Sequence, residues 1–326
     1  RDRPNAAQLR DYYQPRFGMD EQSGDVTFNG YVDPAGDACK PAAELGIATL
    51  NREQIDSFIA ANGFHPAQCL RSNGVLMQPA DTVLRFVAAA SAYVFGVHLH
   101  AIGDRAVRTA TDAIAAVTKG EPATNRHSIA HAQLIHPDDI ARIAVLRIPV
   151  AFTYAWAVLD YYYDTTVIPF IDEISSLEDM YNPDNYYMKQ AYPAHSLLAA
   201  GGVPAAGSDA PVDTADPRPF YNLEKAVTRR ETVDPYGREV RPFEKGPLNA
   251  AERLDILDAI DAYTINGARL MQQEDITGSL EAGKKADFII LDQDIIALAN
   301  SGATDQVSQT SVVETWFDGQ VVYSKP

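Results

Sequence analysis

His98 and His100 stand one residue apart in the stretch VHLHAIGDRA (97–106), with a Gly-Asp step three residues beyond the second imidazole. Neutral imidazole is the commonest protein ligand of transition metals, so the pair raises metal chemistry. Two further candidates close short apolar runs: His131 in HSIAHAQ (127–133) and Asp209 at the end of VPAAGSD (203–209). Side chains alternate along a strand, so His98 and His100 face one way, about 6.6 Å apart along the axis. His100 then lies at the mouth of its strand and His98 one layer deeper. Ligand sites in parallel α/β folds gather at the carboxyl ends of strands, where His100, His131 and Asp209 all fall. Two imidazoles and a carboxylate suit zinc or another borderline divalent ion.

A lone strand histidine is more often a hydrogen-bonded core residue than a ligand. Recurrence at one end of successive strands separates these three residues from His65, His136 and His195, which fall in loops or at helix starts. His127 and His131 are also an i, i+4 pair, but Pro122 and Pro137 bound that stretch too tightly for a helix. Asp104 has a structural explanation, as the cap of a helix beginning at Arg105 after the turn at Gly103. Arg126 and Arg229 are candidates to hold a polar group of a substrate; their bland alternative is a surface or helix-end arginine.

The elements that must position these residues alternate. Val94–His100 is a β-branched apolar run, followed at helical spacing by Val107, Ala110, Ile114 and Val117. HSIAHAQ is the next strand, and Pro137 opens a helix with Asp138 and Asp139 in its first turn, where negative charge suits the helix dipole. IPVAFTY (148–154) is a third strand, HSLLAAGG (195–202) a short helix ending in glycine, and VPAAGSD a fourth strand. Phe220, Leu223, Ala226 and Val227 mark one more helix, and an insertion covers 155 to 192. An earlier unit is expected from DVTFNG (25–30) as a strand, with helical patterns around 52–61 and 80–94. Beyond residue 274 the pattern changes: ADFIILD reads as a buried strand, and VVETWFDGQVVY as two strands joined at Asp318-Gly319, a strong hairpin signal.

This alternation predicts an α/β fold built on a parallel sheet or (β/α) barrel. A complete barrel needs eight units over about 250 residues, and about five are legible. The expected architecture is therefore the C-terminal portion of a (β/α)8 TIM-type barrel over residues 1–274. Residues 275–326 would supply half of a small β-sandwich.

Composition removes several classes. With 27 Lys and Arg against 44 Asp and Glu, the formal charge is −17. Such a field repels nucleic acid and anionic lipid surfaces, and a small-molecule substrate is the expected partner. No apolar run approaches the roughly 18 residues of a membrane span. Cys39 and Cys69 are read as unrelated thiols; a disulfide between them would imply an oxidising compartment. Cytoplasmic and periplasmic locations both stay open, as does a homo-oligomer.

Five collinear motifs, HLHAIGDRAV, RHSIAHAQLIHPDDIAR, AAGSDAPVDTADPRPFYNLEKAVTRR, AYTINGARLM and GSLEAGKKADFIILD, resemble amidohydrolase family 3. The branch resembled includes N-substituted formamide deformylase and exoenzyme regulatory proteins. The similarity runs from about residue 95 to the C-terminus, roughly 70% of the chain. It implies metal-ligand histidines at the ends of the fifth and sixth barrel strands, here His100 and His131. It also implies an aspartate after the eighth strand that approaches the metal and acts as general acid/base, here Asp209. His98 then lines the barrel beneath.

Three departures stand out. The family's first-strand His-x-His motif is absent, and with it the N-terminal half of the sandwich. DVTFNG puts Asp25 where the fourth strand usually carries a lysine. Ala130 replaces a glutamate usually found before the sixth-strand histidine. The resemblance implies a hydrolase of non-peptide C–N bonds, in an amide, a cyclic amide or an N-acyl compound, using one or two divalent ions, with zinc the expected metal. The rival expectation is a non-catalytic regulatory or binding relative on the same scaffold.

Overall fold

The computed structural model describes residues 5–20, 22, 25–120, 122, 127–211, 217–231 and 246–326. In chain order its strands are β1 (Pro15–Met19), β2 (Val26–Tyr31), β3 (His98–Ala101), β4 (Ser128–His131), β5 (Pro149–Phe152), β6 (Val203–Ala206), β7 (Phe288–Leu291), β8 (Val312–Phe317) and β9 (Gln320–Ser324). They form three sheets: β1-β2, β3-β4-β5-β6 and β7-β8-β9.

The four-stranded sheet is parallel throughout, with its strands in sequence order. Its cause is local. Each short apolar run is followed by chain that returns through helical segments, so the next run enters in the same direction. Asp104–Thr118 buries Val107, Ala110 and Ile114 and ends at Lys119 in a left-handed conformation. Pro137–Val145 opens with Pro at its first turn, capped by the His136 side chain, which accepts from Asp138 N–H. Asp138 and Asp139 follow in the first turn, as the sequence predicts. Ile129, Val150, Phe152, Ile135 and Ile143 are fully buried around the sheet. These elements belong to a compact unit comprising Leu76–Asp160 and Gln190–Pro326.

One expected detail changes. Asp104 is not the cap: Gly103 occupies that position with no side-chain cap bond, and Asp104 lies inside the first turn. There its buried carboxylate still meets the positive end of the helix dipole.

The C-terminal sheet is antiparallel, and its hairpin is the expected one. Asp318 (φ 48°) and Gly319 (φ 75°) carry the two positive φ values that a two-residue turn of this hand demands. Strand β7, by contrast, is not buried. Ile289 and Ile290 are 47% and 43% exposed, because the three-stranded sheet is stacked against little among the described residues.

The second unit comprises Asp2–Val75 and Tyr161–Lys189. DVTFNG lies here, as β2, paired antiparallel with β1. It is thus not an earlier strand of the parallel sheet. Asp20 N–H donates to Asp25 O, and a connection as short as that between β1 and β2 can only join antiparallel neighbours. Arg52–Asn62 is helical as predicted, closed at its start by an Asn51/Gln54 capping box. Cys39 and Cys69, read as unrelated thiols, are joined by a disulfide. With Val32 they form a small core, packed by Ile47, Phe58 and Phe64.

So small a core leans on its crosslink. The bond spans a sequence separation of 30 residues, and closing a loop of that length stabilises by about 3–4 kcal/mol through the unfolded chain. Replacing both residues (Cys39→Ala with Cys69→Ala) is expected to lower stability by that amount. Urea denaturation of wild type and variant, with and without reductant, checks it: reductant should destabilise wild type alone.

Candidate metal and acid–base site

Strand register pairs His98 with Ser128, Leu99 with Ile129, His100 with Ala130 and Ala101 with His131. Residues paired across parallel strands share a face, so strict alternation would place His100 and His131 on opposite faces. Their rings nevertheless meet, with centroids 4.7 Å apart at 68°. The backbone explains it. His131 has φ 70° and Ala132 φ 43°, and these left-handed values turn the His131 ring off the parity of its strand. Ala132 N–H donates to Ala101 O at 2.8 Å, tying the turn to the neighbouring strand. A non-glycine residue held left-handed costs about 1–3 kcal/mol and persists only where its surroundings enforce it, commonly at functional sites.

The third candidate comes from β6. Asp209 follows that strand by three residues and is itself left-handed, φ 50°. It acts electrostatically on His131. Burial pushes the His131 imidazole down to about 4, the nearby His100 pushes the same way, and Asp209 opposes both. The ring is therefore neutral at neutral pH, with a lone pair available. His98 is also held below the usual imidazole range, first by burial and then by His100. Its Nδ1 lies 2.7 Å from Ser128 Oγ, a bond that joins β3 to β4.

His127 serves structure. Its Nδ1 accepts from Val97 N–H at 3.1 Å and its Nε2 lies 2.9 Å from Ser91 Oγ. His65 and His136 both accept a backbone N–H at the start of a helical turn.

The immediate surroundings of His131 come from the segment after β5. Trp156 stacks on the imidazole, centroids 5.2 Å apart at 13°, and Thr153 Oγ1 lies 3.5 Å from Nδ1. Sequence reasoning passed over both, reading Thr153 as part of the strand 148–154 and Trp156 as part of an insertion at 155–192. A signal existed: an aromatic residue just beyond the carboxyl end of a strand, where parallel sheets carry their sites.

In donor type, two imidazoles and a carboxylate fit a borderline divalent cation. In number they would make the three protein ligands that catalytic zinc takes, but the three are not brought together. Among the described residues no group of three or more His, Cys, Asp or Glu side chains is gathered as a metal ion would need. The imidazole pair is assembled, and Asp209 acts on it from β6 without completing the set.

The two arginines separate. Arg126 lies outside the described residues. Arg229 is the helix-end arginine of the bland alternative, but it is buried rather than on the surface. It is fully buried at the end of the helix Pro219–Thr228. Its Nε donates to Leu248 O, its Nη1 to Tyr192 O and its Nη2 to Ala191 O. A guanidinium so occupied holds two chain segments together.

Comparison with known proteins gives the family. A model described as "Amidohydrolase family" matches residues 41–323. The chain belongs to that family. It is 29% identical over 256 residues to the amidohydrolase-family protein YtcJ of Bacillus subtilis (strain 168), covering 78% of this chain and 42% of the relative. It is 25% identical over 231 residues to N-substituted formamide deformylase of Arthrobacter pascens, covering 70% and 36%. Among solved structures, an uncharacterized metal-dependent hydrolase from Pyrococcus furiosus superposes with a TM-score of 0.52 at 25% identity, covering 71% of this chain and 40% of that one. The chain thus spans about two fifths of the length of these proteins.

Arg229 supplies the test of its own place. Arg229→Met keeps the stem but strips a donor from Leu248 O, while Tyr192 O keeps Ala194 N–H and Ala191 O keeps Asn249 Nδ2. A buried carbonyl left unsatisfied costs about 1–3 kcal/mol, and that is the loss expected in chemical denaturation. Unchanged stability would return Arg229 to the candidates for substrate contact.

Proposed function

We propose that this protein is a metal-dependent hydrolase of a non-peptide C–N bond, in an amide, a cyclic amide or an N-acyl compound. In this reading β3 to β6 are the fifth to eighth strands of a (β/α)8 barrel, and β7 to β9, within residues 275–326, belong to a small β-sandwich. The single observation that carries it is the contact of the His100 and His131 rings at the carboxyl ends of adjacent parallel strands. Strand counting supports it. His100 and His131 fall on the first and second strands of the sheet and Asp209 follows the fourth, matching the fifth-, sixth- and eighth-strand positions of the family motif. A relative named for deformylation of N-substituted formamides and a neighbour named as a metal-dependent hydrolase point the same way.

In this scheme His100 and His131 would hold a divalent ion, with zinc the metal the donor set suits best, and Asp209 would face it. When bound, such an ion supplies an activated water and polarises a carbonyl. The chain's own residues do the rest. His131 offers a neutral ring because burial and His100 disfavour its protonation. Asp209 takes a proton from the attacking water and returns it to the departing nitrogen, the step that makes an amine a competent leaving group. Asp209, three residues beyond β6 and left-handed in backbone, is close enough to His131 to act on it electrostatically.

Two variants in the native protein test this. Asp209→Asn is nearly isosteric but cannot take a proton, and is expected to lower turnover by about 10²–10⁴-fold. His98→Gln is expected to cost less than tenfold, because His98 bonds Ser128 and adds only repulsion to the His131 site. The measurement is turnover of formamides, N-acyl amines and cyclic amides beside metal content. Equal losses would put His98 among the ligands, unchanged turnover in Asp209→Asn would remove the acid–base role from Asp209, and no turnover of any of these compounds by wild type would favour a non-catalytic relative.

A further inference from the structure

Asn222 is fully buried on the helix Pro219–Thr228, yet it makes a poor stabilising residue. Among the described residues its Oδ1 accepts one hydrogen bond, from Ala155 N–H at 2.9 Å, and its buried Nδ2 has no partner. An unsatisfied buried amide is costly, and leucine of similar volume would pack there without that cost. What the bond does is therefore the question.

Ala155 sits in the middle of the turn Tyr154–Trp156 that follows β5. That short segment carries two neighbours of the His131 ring: the Trp156 indole stacked on it and the Thr153 hydroxyl near Nδ1. Trp156 is 3% exposed, so its indole is confined by packing, and a near-parallel stack restricts rotation of the imidazole about its own χ2. The orientation of that ring decides which nitrogen faces His100.

We propose that Asn222 is a positioning residue that pins the turn at Ala155, seats Trp156 on His131, and thereby fixes the imidazole plane. The inference rests on the reading of His131 as a metal ligand only for its consequence. The positioning itself is independent of any metal. Outer residues that orient a ligating histidine commonly control metal affinity by 10–100-fold, and here the control passes through a backbone N–H and a stacked indole.

The test uses the full chain with ring-¹³C-labelled histidine, read by NMR, the His131 signal being assigned by its loss in His131→Gln. In wild type the indole should displace that signal upfield of the other histidines. Asn222→Leu, and Asn222→Ala at smaller volume, should return it toward the ordinary range while the other six histidine signals stay in place. Asn222→Asp keeps the acceptor oxygen and should keep the displacement. Trp156→Leu gives the reference for a released ring, and Trp156→Phe should retain part of the effect. A displaced signal that survives Asn222→Leu, or one that is absent from wild type, overturns the proposal.

A second arm measures Co²⁺ binding by quenching of tryptophan fluorescence. Asn222→Leu is expected to weaken it 10–100-fold, and His131→Gln to abolish it. Unchanged binding in His131→Gln overturns the metal reading. Weakened binding in His131→Gln but not in Asn222→Leu overturns the control of metal affinity by Asn222.

Discussion

The meeting of two imidazoles depends on a backbone conformation that regular strand geometry does not provide. In the β3–β4 register His100 stands opposite Ala130, and the next residue, His131, belongs by parity to the other face. Only the left-handed turn at His131 and Ala132, tied by Ala132 N–H to Ala101 O, brings the rings to 4.7 Å. The local cost of that turn must be met by neighbouring structure. The His131 surroundings show how: a buried ring, an indole stacked on it, and a pinned segment carrying that indole. A strand end that must present a ligand cannot simply continue as a strand.

Several buried polar groups in this unit hold backbone in place or tie elements together. Arg229 donates to Leu248, Tyr192 and Ala191 carbonyls, and Asn249 Nδ2 adds a second bond to Ala191 O. Asn222 accepts from Ala155 N–H, and Asn266 Nδ2 donates to Pro204 O on β6. Asp139, wholly buried, receives Arg108 and Arg142, linking the helices Asp104–Thr118 and Pro137–Val145. Interior charge is expensive unless bonded, and here it is spent on geometry where hydrophobic packing alone would leave the chain free to shift. Catalytic sites in parallel folds are built on loops, so their precision has to come from bonds of this kind.

The unit of residues Asp2–Val75 and Tyr161–Lys189 meets the same need differently. Its aromatic residues pair edge to face, as Phe58 with Phe64 and Phe28 with Tyr31, and a disulfide closes its small core. A covalent tie does the work that a large buried core does around the parallel sheet. Disulfides of this kind persist in oxidising surroundings.

Periodicity and turn chemistry were enough to read the parallel strands, the helices after β3 and β4, and the Asp318-Gly319 hairpin, because each signal is local: β-branched runs, apolar residues at helical spacing, Pro at a helix start, Gly in a turn. The strand-end positions of His100, His131 and Asp209 were also legible, since each closes a short apolar run. DVTFNG misled, because a strand's own residues do not say whether its partner runs parallel or antiparallel, and ADFIILD misled because an apolar strand is buried only if something covers it. The Cys39–Cys69 bond, the capture of Arg229 by three carbonyls, the stack of Trp156 on His131 and the grip of Asn222 on Ala155 join residues 19 to 67 positions apart. The sequence by itself determined the order of elements and the chemical types at their ends. Tertiary structure alone decided which of those ends face one another, because that depends on long-range packing and on one left-handed residue that no local pattern announces.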